Sequence, residues 1–294
     1  MMVLPMVTLN HLDDLWFQVA GTWCNLTCQH CFISCSPHNR NFGFLDLATV
    51  ERYLHESVAL GVKEYYFTGG EPFLNRDMTA ILERTLDFGP ATVLTNGTVL
   101  QSAWLERLRT AESKSPYCLE FRVSMDGFTA KENDPVRGDG TFERILAGVR
   151  LLLEYGFLPI LTVTRTRDEQ EDAELFAGFV RLLKANGYAN PRIKILPTLR
   201  IGAEAERCRG YADTERVTSE MLDGHDQNQL LCSHARMVTD RGVYVCPILI
   251  ETPAARLGTT LGESLRPFAI NQSACYTCWQ YGALCANVDP EAQG

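Results

Sequence analysis

A chain of 294 residues with 46% hydrophobic and 21% charged side chains can bury one large core, and this composition excludes a disordered or fibrous polymer. A net charge of −9 without any basic run argues against tight binding to nucleic acid or an anionic membrane. No apolar stretch reaches the roughly 20 residues of a membrane span, and the apolar residues 1–7 lack the basic flank of a secretory signal. Eleven cysteines in such a chain point to metal ligation in a reducing cytoplasm rather than to a disulfide framework.

Residues 15–20 form an apolar run predicted as a first strand, and it delivers a loop bearing Cys24, Cys28 and Cys31. Three soft ligands on one short loop can hold three corners of an iron-sulfur cube and leave one iron open to a small bidentate molecule. Zinc, or a complete cluster with Cys35 as fourth ligand, is the other reading of the loop taken alone. Leu47, Val50, Leu54 and Val58 recur at helical intervals before Gly61, and residues 63–67 are the second strand. That strand ends in Gly69-Gly70-Glu71-Pro72, where glycines allow close backbone approach and Glu71 can accept hydrogen bonds from an ammonium group.

A helix over residues 78–88, a third strand over 91–95 capped by Asn96-Gly97, and a helix around Trp104 and Leu108 follow. The fourth strand (118–124) runs into Met125-Asp126-Gly127 and should bury Cys118; helix 142–155, strand 158–164, helix 169–186 and strand 192–196 complete the series. Strict alternation predicts an α/β fold of parallel strands with helices outside, as a doubly wound sheet or an open barrel. The cysteine loop, Gly69-Gly70, Asn96 and Ser124 to Asp126 all fall at carboxyl ends of strands, where such folds keep their chemistry.

After Ile201 the pattern becomes charged and irregular. Cys232 and Cys246 then flank a hairpin turn at Asp240 to Gly242, and Cys275 and Cys278 form a two-thiol bite that completes four ligands for a metal centre. Structural zinc is the alternative occupant, Cys285 is a spare or a substitute ligand, and Cys35 and Cys208 stay unassigned. His225 and His234 lie near this group, where lone histidines are more often hydrogen-bonded than metal-bound.

The three-thiol loop, with Asn25, Leu26 and His30 beside it, and the turn Gly69 to Pro72 resemble those of the radical S-adenosylmethionine (radical SAM) enzymes. More weakly, Thr95 to Gly97, Ser124 to Gly127, Arg137-Gly138 and Thr141-Phe142 look like segments of the peptide-modifying branch. The resemblance implies a partial (βα)6 TIM-like barrel, a 4Fe-4S cluster on Cys24, Cys28 and Cys31, and S-adenosylmethionine chelated to the open iron. Cofactor contacts are then expected from Gly69, Gly70, Glu71 and Pro72 around the methionine amino group, and from Ser124, Asn96 and Arg137 around the methionine or ribose, although Asn96-Gly97 also reads as a plain turn dipeptide. One-electron reduction of the sulfonium would give a 5′-deoxyadenosyl radical that abstracts a substrate hydrogen.

The later cysteines resemble a twitch or truncated SPASM domain, with a second, auxiliary 4Fe-4S cluster on Cys232, Cys246, Cys275 and Cys278 for electron transfer. The implied layout is a barrel over residues 1–200, a linker over 201–230 and an auxiliary-cluster domain over 231–294. The expected activity is an oxidoreductase served by a flavodoxin or ferredoxin. About fifteen residues precede the first strand, too few for a leader-binding domain, which favours a small natural-product or metabolite precursor over a ribosomal precursor peptide. Arg165, Arg200 and Glu204 are candidate substrate-handling groups, and no side chain stands out as catalytic acid, base or hydrogen donor. A non-catalytic Fe-S or zinc-binding protein would keep the thiols but has no need of the Gly-Gly-Glu-Pro turn.

Overall fold

Most of the predicted strands are apolar runs short enough to be covered on both faces, the pattern of parallel strands flanked by helices. A computed structural model describes residues 4–166 and 168–282. After a two-residue β1 (Met6–Val7), β2 (Asp14–Gln18) is buried at every position. It is followed by β3 (Glu64–Thr68), β4 (Ala91–Thr95), β5 (Leu119–Ser124), β6 (Ile160–Thr164) and β7 (Arg192–Leu196), each parallel to its predecessor and adjacent to it. The result is the parallel sheet of a partial barrel, with α1 (Leu47–Val58), α2 (Met78–Thr85), α3 (Ser102–Glu112), α4 (Ala130–Arg137), α5 (Thr141–Glu154) and α6 (Asp172–Ala185) in the crossovers.

Local chemistry sets the element ends. Asp46 caps α1 by accepting from the Thr49 amide at 2.8 Å, and Val50, Tyr53 and Leu54 turn that helix's apolar face inward. The Asn75 amide donates to both Val19 O and Leu45 O (2.8 and 2.7 Å), tying the end of β2 to the entry of α1. Cys118 is exposed, contrary to expectation, because β5 begins one residue later at Leu119.

Beyond β7 lie α7 (Ala203–Arg207), α8 (Ser219–Leu222), β8 (Ala235–Thr239), β9 (Gly242–Tyr244), β10 (Arg256–Gly258), β11 (Phe268–Ala269) and α9 (Ser273–Tyr281). β8 runs parallel to β2 on its free edge, with Asp14 opposite Ala235, and β9 and β10 add antiparallel to give one nine-stranded sheet. The expected hairpin turn at Asp240 and Arg241 joins β8 to β9. β11 returns to pair with β1. Two hydrophobic clusters result, one between the sheet and its helices, the other around stacked Trp16 and Tyr66. The second contains Cys24 and Cys35 as well as Cys232, Cys246, Cys275 and Cys278, so both cysteine groups share one packing unit. No helix among the described residues is long and apolar enough to cross a membrane.

Candidate radical SAM site

At the carboxyl ends of the strands a cavity of about 220 Å³ is lined by Cys24, Cys28 and Cys31 together with Gly69, Gly70, Asn96 and Ser124. The loop that carries the thiols is held by backbone bonds: Cys24 N to Ser36 O (3.2 Å), Cys31 N to Cys28 O (3.2 Å) and Ala203 N to Cys31 O (3.0 Å). Amides aim at two of the sulfurs, from Leu26 to Cys24 Sγ (3.4 Å) and from Cys35 to Cys31 Sγ (3.3 Å), and the Asn96 side-chain amide approaches Cys24 Sγ at 3.7 Å. Burial pushes the Cys24 thiol up to about 12 and the Cys28 thiol up to about 11. A hydrogen bond from Cys35 brings Cys31 below the ordinary thiol range against its burial. Thiols held protonated by burial become ligands only when a metal displaces their protons.

The glycine turn is shaped by the loop it packs on. Gly70 N donates to Gly21 O (3.0 Å) and Glu71 N to Trp23 O (2.9 Å). A Cβ at Gly70 would stand 1.9 Å from Trp23 O, and Gly69 has φ +145°. Glu71 is fully buried and faces away from the cavity: Oε1 accepts from Thr95 Oγ1 (2.7 Å) and Phe73 N (3.1 Å), Oε2 from Asn96 N (2.7 Å). Its carboxylate thus braces the Asn96 turn, and neither Glu71 nor Pro72 lines the cavity; Pro72 opens the 3-10 turn Pro72–Leu74.

Sequence reasoning missed an ion cluster behind the loop. His30 Nε2 and Arg137 Nε converge on Asp126 Oδ2 at 2.7 and 2.6 Å, with all three side chains at least nine-tenths buried, and Thr164 N donates to Oδ1 at 2.9 Å. Only the turn dipeptide Asp126-Gly127 and the pair Arg137-Gly138 hinted at it, because its members are 96 to 107 positions from His30 or in a short polar helix. Trp16, Thr162, Thr164, Leu199 and Ile248 also line the cavity without having been foreseen, since each reads as an ordinary strand or loop residue. Arg165, Arg200 and Glu204 lie elsewhere and pair with Asp172, Glu215 and Arg207.

Whether the residues fit the family's group rests on the donors left over. Trp16 Nε1, His30 Nδ1 and Thr162 Oγ1 are buried side-chain atoms with no hydrogen-bond partner among the described residues, and all three residues line this cavity. Buried polar atoms are ordinarily paired, so three soft thiols and three unsatisfied polar atoms around one space suit a ligand that is part metal and part polar organic molecule. Among the described residues no three His, Cys, Asp or Glu side chains converge on one metal ion; a cube spreads its thiolates over separate irons.

The four cysteines of the second group line one pocket. Cys232 sits on a 3-10 turn, Cys246 follows β9, and Cys275 and Cys278 lie one turn apart on α9; all four are at most 9% exposed and line one apolar pocket. Burial and the other three sulfurs raise Cys232 well above the ordinary thiol range. Cys285 lies outside the described residues, Cys35 belongs to the first cavity, and Cys208 Sγ donates to Glu204 O at 3.1 Å. His234 faces Asp14 at 3.6 Å and His225 packs on Trp279.

Comparison with known proteins bears on the first site. The AdoMet-dependent heme synthase of Methanosarcina barkeri is 34% identical over 205 residues, which is 69% of this chain and 55% of that protein. The antilisterial bacteriocin subtilosin biosynthesis protein AlbA of Bacillus subtilis is 30% identical over 138 residues, 45% of this chain and 29% of its own. The chain therefore spans about half or less of these relatives. Streptococcus suis SuiB bound to precursor peptide SuiA superposes with TM-score 0.62 over 84% of this chain and 62% of SuiB, at 14% identity, a likeness of fold. The sequence profile of the radical SAM superfamily matches residues 19–175, more than half of the chain, and the protein is accordingly an enzyme of that superfamily.

Proposed function

We propose that the enzyme is an oxidoreductase in which Cys24, Cys28 and Cys31 hold the family's 4Fe-4S cluster and Cys232, Cys246, Cys275 and Cys278 hold an auxiliary one. When bound, the first cluster with S-adenosylmethionine supplies a 5′-deoxyadenosyl radical able to take a hydrogen atom from substrate. The chain's own part is positioning. Gly69 and Gly70 bring bare backbone to the cavity wall, Asn96 keeps an amide on the Cys24 sulfur, and Ser124, Thr162 and Thr164 offer hydroxyls to a polar ligand. Leu94, Leu196, Leu199 and Ile248 keep water from the remaining wall.

The observation that carries the reading is that Ile248, two residues after Cys246, lines both the cavity and the four-cysteine pocket. A two-electron oxidation begun by hydrogen abstraction needs an acceptor for the second electron, and the shared wall supports a centre behind it in that role. In this reading residues 231–294 form the auxiliary-cluster unit after a barrel of residues 1–200, and a flavodoxin or ferredoxin in the cytoplasm supplies the first electron. The substrate is proposed as a small metabolite or natural-product precursor, in line with the relative named for heme synthesis. A peptide substrate is the second reading, favoured by SuiB with its precursor peptide and by the bacteriocin protein.

Anaerobically reconstituted protein, given S-adenosylmethionine and dithionite, should release 5′-deoxyadenosine, and C28A should not. Equal release from both proteins would overturn the assignment of the first site. Deuterated metabolite pools and deuterated candidate peptides, tested in parallel for label transfer into 5′-deoxyadenosine, separate the two substrate readings.

A further inference from the structure

Arg236 on β8 is a fully buried cation with no anion paired to it among the described residues. Its Nε donates to Ser264 O (3.0 Å), Nη1 to Cys232 O (2.8 Å), Ala235 O (2.7 Å) and Val245 O (3.5 Å), and Nη2 to Arg266 O (3.3 Å). Every acceptor is a backbone carbonyl, and no carboxylate pairs with Arg236 among the described residues. Carbonyl dipoles satisfy the N–H groups and leave the net charge in place, which is costly in an interior. The other deeply buried arginines are compensated, Arg137 by Asp126 at 2.6 Å and Arg122 by Glu120 at 3.2 Å.

What adjoins the exception is the backbone that carries Cys232 and Cys246, two residues of the four-cysteine pocket. Two of the carbonyls that hold the guanidinium belong to Cys232 itself and to Val245, the residue before Cys246. Four neutral thiols would leave Arg236 uncompensated, whereas four thiolates around an iron-sulfur core leave a net negative centre beside it. We propose that Arg236 is the built-in counter-charge of the auxiliary centre, raising that cluster's reduction potential so that it accepts an electron. The inference rests on the auxiliary-cluster reading above. Net charge and hydrogen bonding around a cluster are among the terms that set its potential, and a fixed charge in a dry interior acts strongly.

The test uses the full chain with Cys24, Cys28 and Cys31 all changed to Ala, so that the auxiliary centre is the only cluster, and follows a redox titration by electron paramagnetic resonance. Arg236→Met, close in length but neutral, should lower the midpoint enough to cut the reduced-to-oxidised ratio at fixed potential at least tenfold, about 59 mV for a one-electron couple. Arg236→Lys, which keeps the charge, should restore most of the shift, and should keep iron if the Met variant loses it. Superimposable titrations of the parent and Met proteins at equal iron content would overturn the proposal, as would Lys and Met variants that shift or lose iron alike. Stoichiometric zinc without iron in the parent would instead defeat the auxiliary-cluster reading beneath it.

Discussion

At the scale of single residues, Asp126 shows how a buried charge is made tolerable. Burial alone would raise its pKa, but Arg137 and His30 outweigh that and hold the carboxyl below its ordinary range. The sign follows from linkage: a depressed native pKa gives stability that is present above the unfolded value near about 4 and is lost as pH falls through the native one. D126N removes the anion and leaves Arg137 buried alone, so it is expected to cost about 3–5 kcal/mol in urea unfolding and to lower iron retention, because His30 lies between Cys28 and Cys31. Unchanged unfolding would mean that water reaches the cluster. Glu71 runs the other way. Burial raises it to about 7 from 4.5 despite donors from Asn96, Thr95 and Phe73. Its contribution is therefore full below about 4.5 and falls as pH rises through about 7. Urea midpoints across that window should decline in the wild type and decline less in E71Q.

At the scale of elements, the six parallel strands were legible because each is a short run rich in apolar residues closed by a turn signal or proline, as at Gly69-Gly70, Asn96-Gly97 and Pro197. α4 was not, since Pro135 interrupts a polar segment with little periodicity. The placing of β8 to β10 was also hidden. β9 and β10 have three residues each, and the pairing of Asp14 with Ala235 spans most of the chain, whereas pattern reading registers only near neighbours. The candidate site was legible in its thiols and glycines, whose chemistry is local, and illegible in His30–Asp126–Arg137, which only the barrel brings together. The glycine turn looked like a ligand cradle, and in the structure it is a docking joint for the loop at Gly21 and Trp23. In G70A the new Cβ would meet the Trp23 carbonyl at 1.9 Å, and a backbone obstacle cannot rotate aside. The variant is expected to lose about 1–3 kcal/mol of stability and most S-adenosylmethionine binding, read by equilibrium dialysis, while the four-cysteine pocket keeps its iron.

At the scale of the molecule, the C-terminal segment continues the barrel's own sheet through β8 on β2, and Pro247 and Ile248 complete the wall of the first cavity. Two roles for that segment are therefore separable: the wall it gives the first cavity and the seat we propose it gives an electron acceptor. Cys275 and Cys278 sit on α9, outside the residues that line the first cavity, so changing them tests the second role while leaving the wall in place. C275A/C278A is expected to fall from about eight irons per chain to about four, to release 5′-deoxyadenosine still, and to stop short of oxidised product because the second electron has no acceptor. Iron analysis, nucleoside release and product formation on one preparation give the three readings. Nucleoside release abolished as fully as in C28A would show instead that the segment's contribution is to hold the first site together, and the electron-acceptor role would fall.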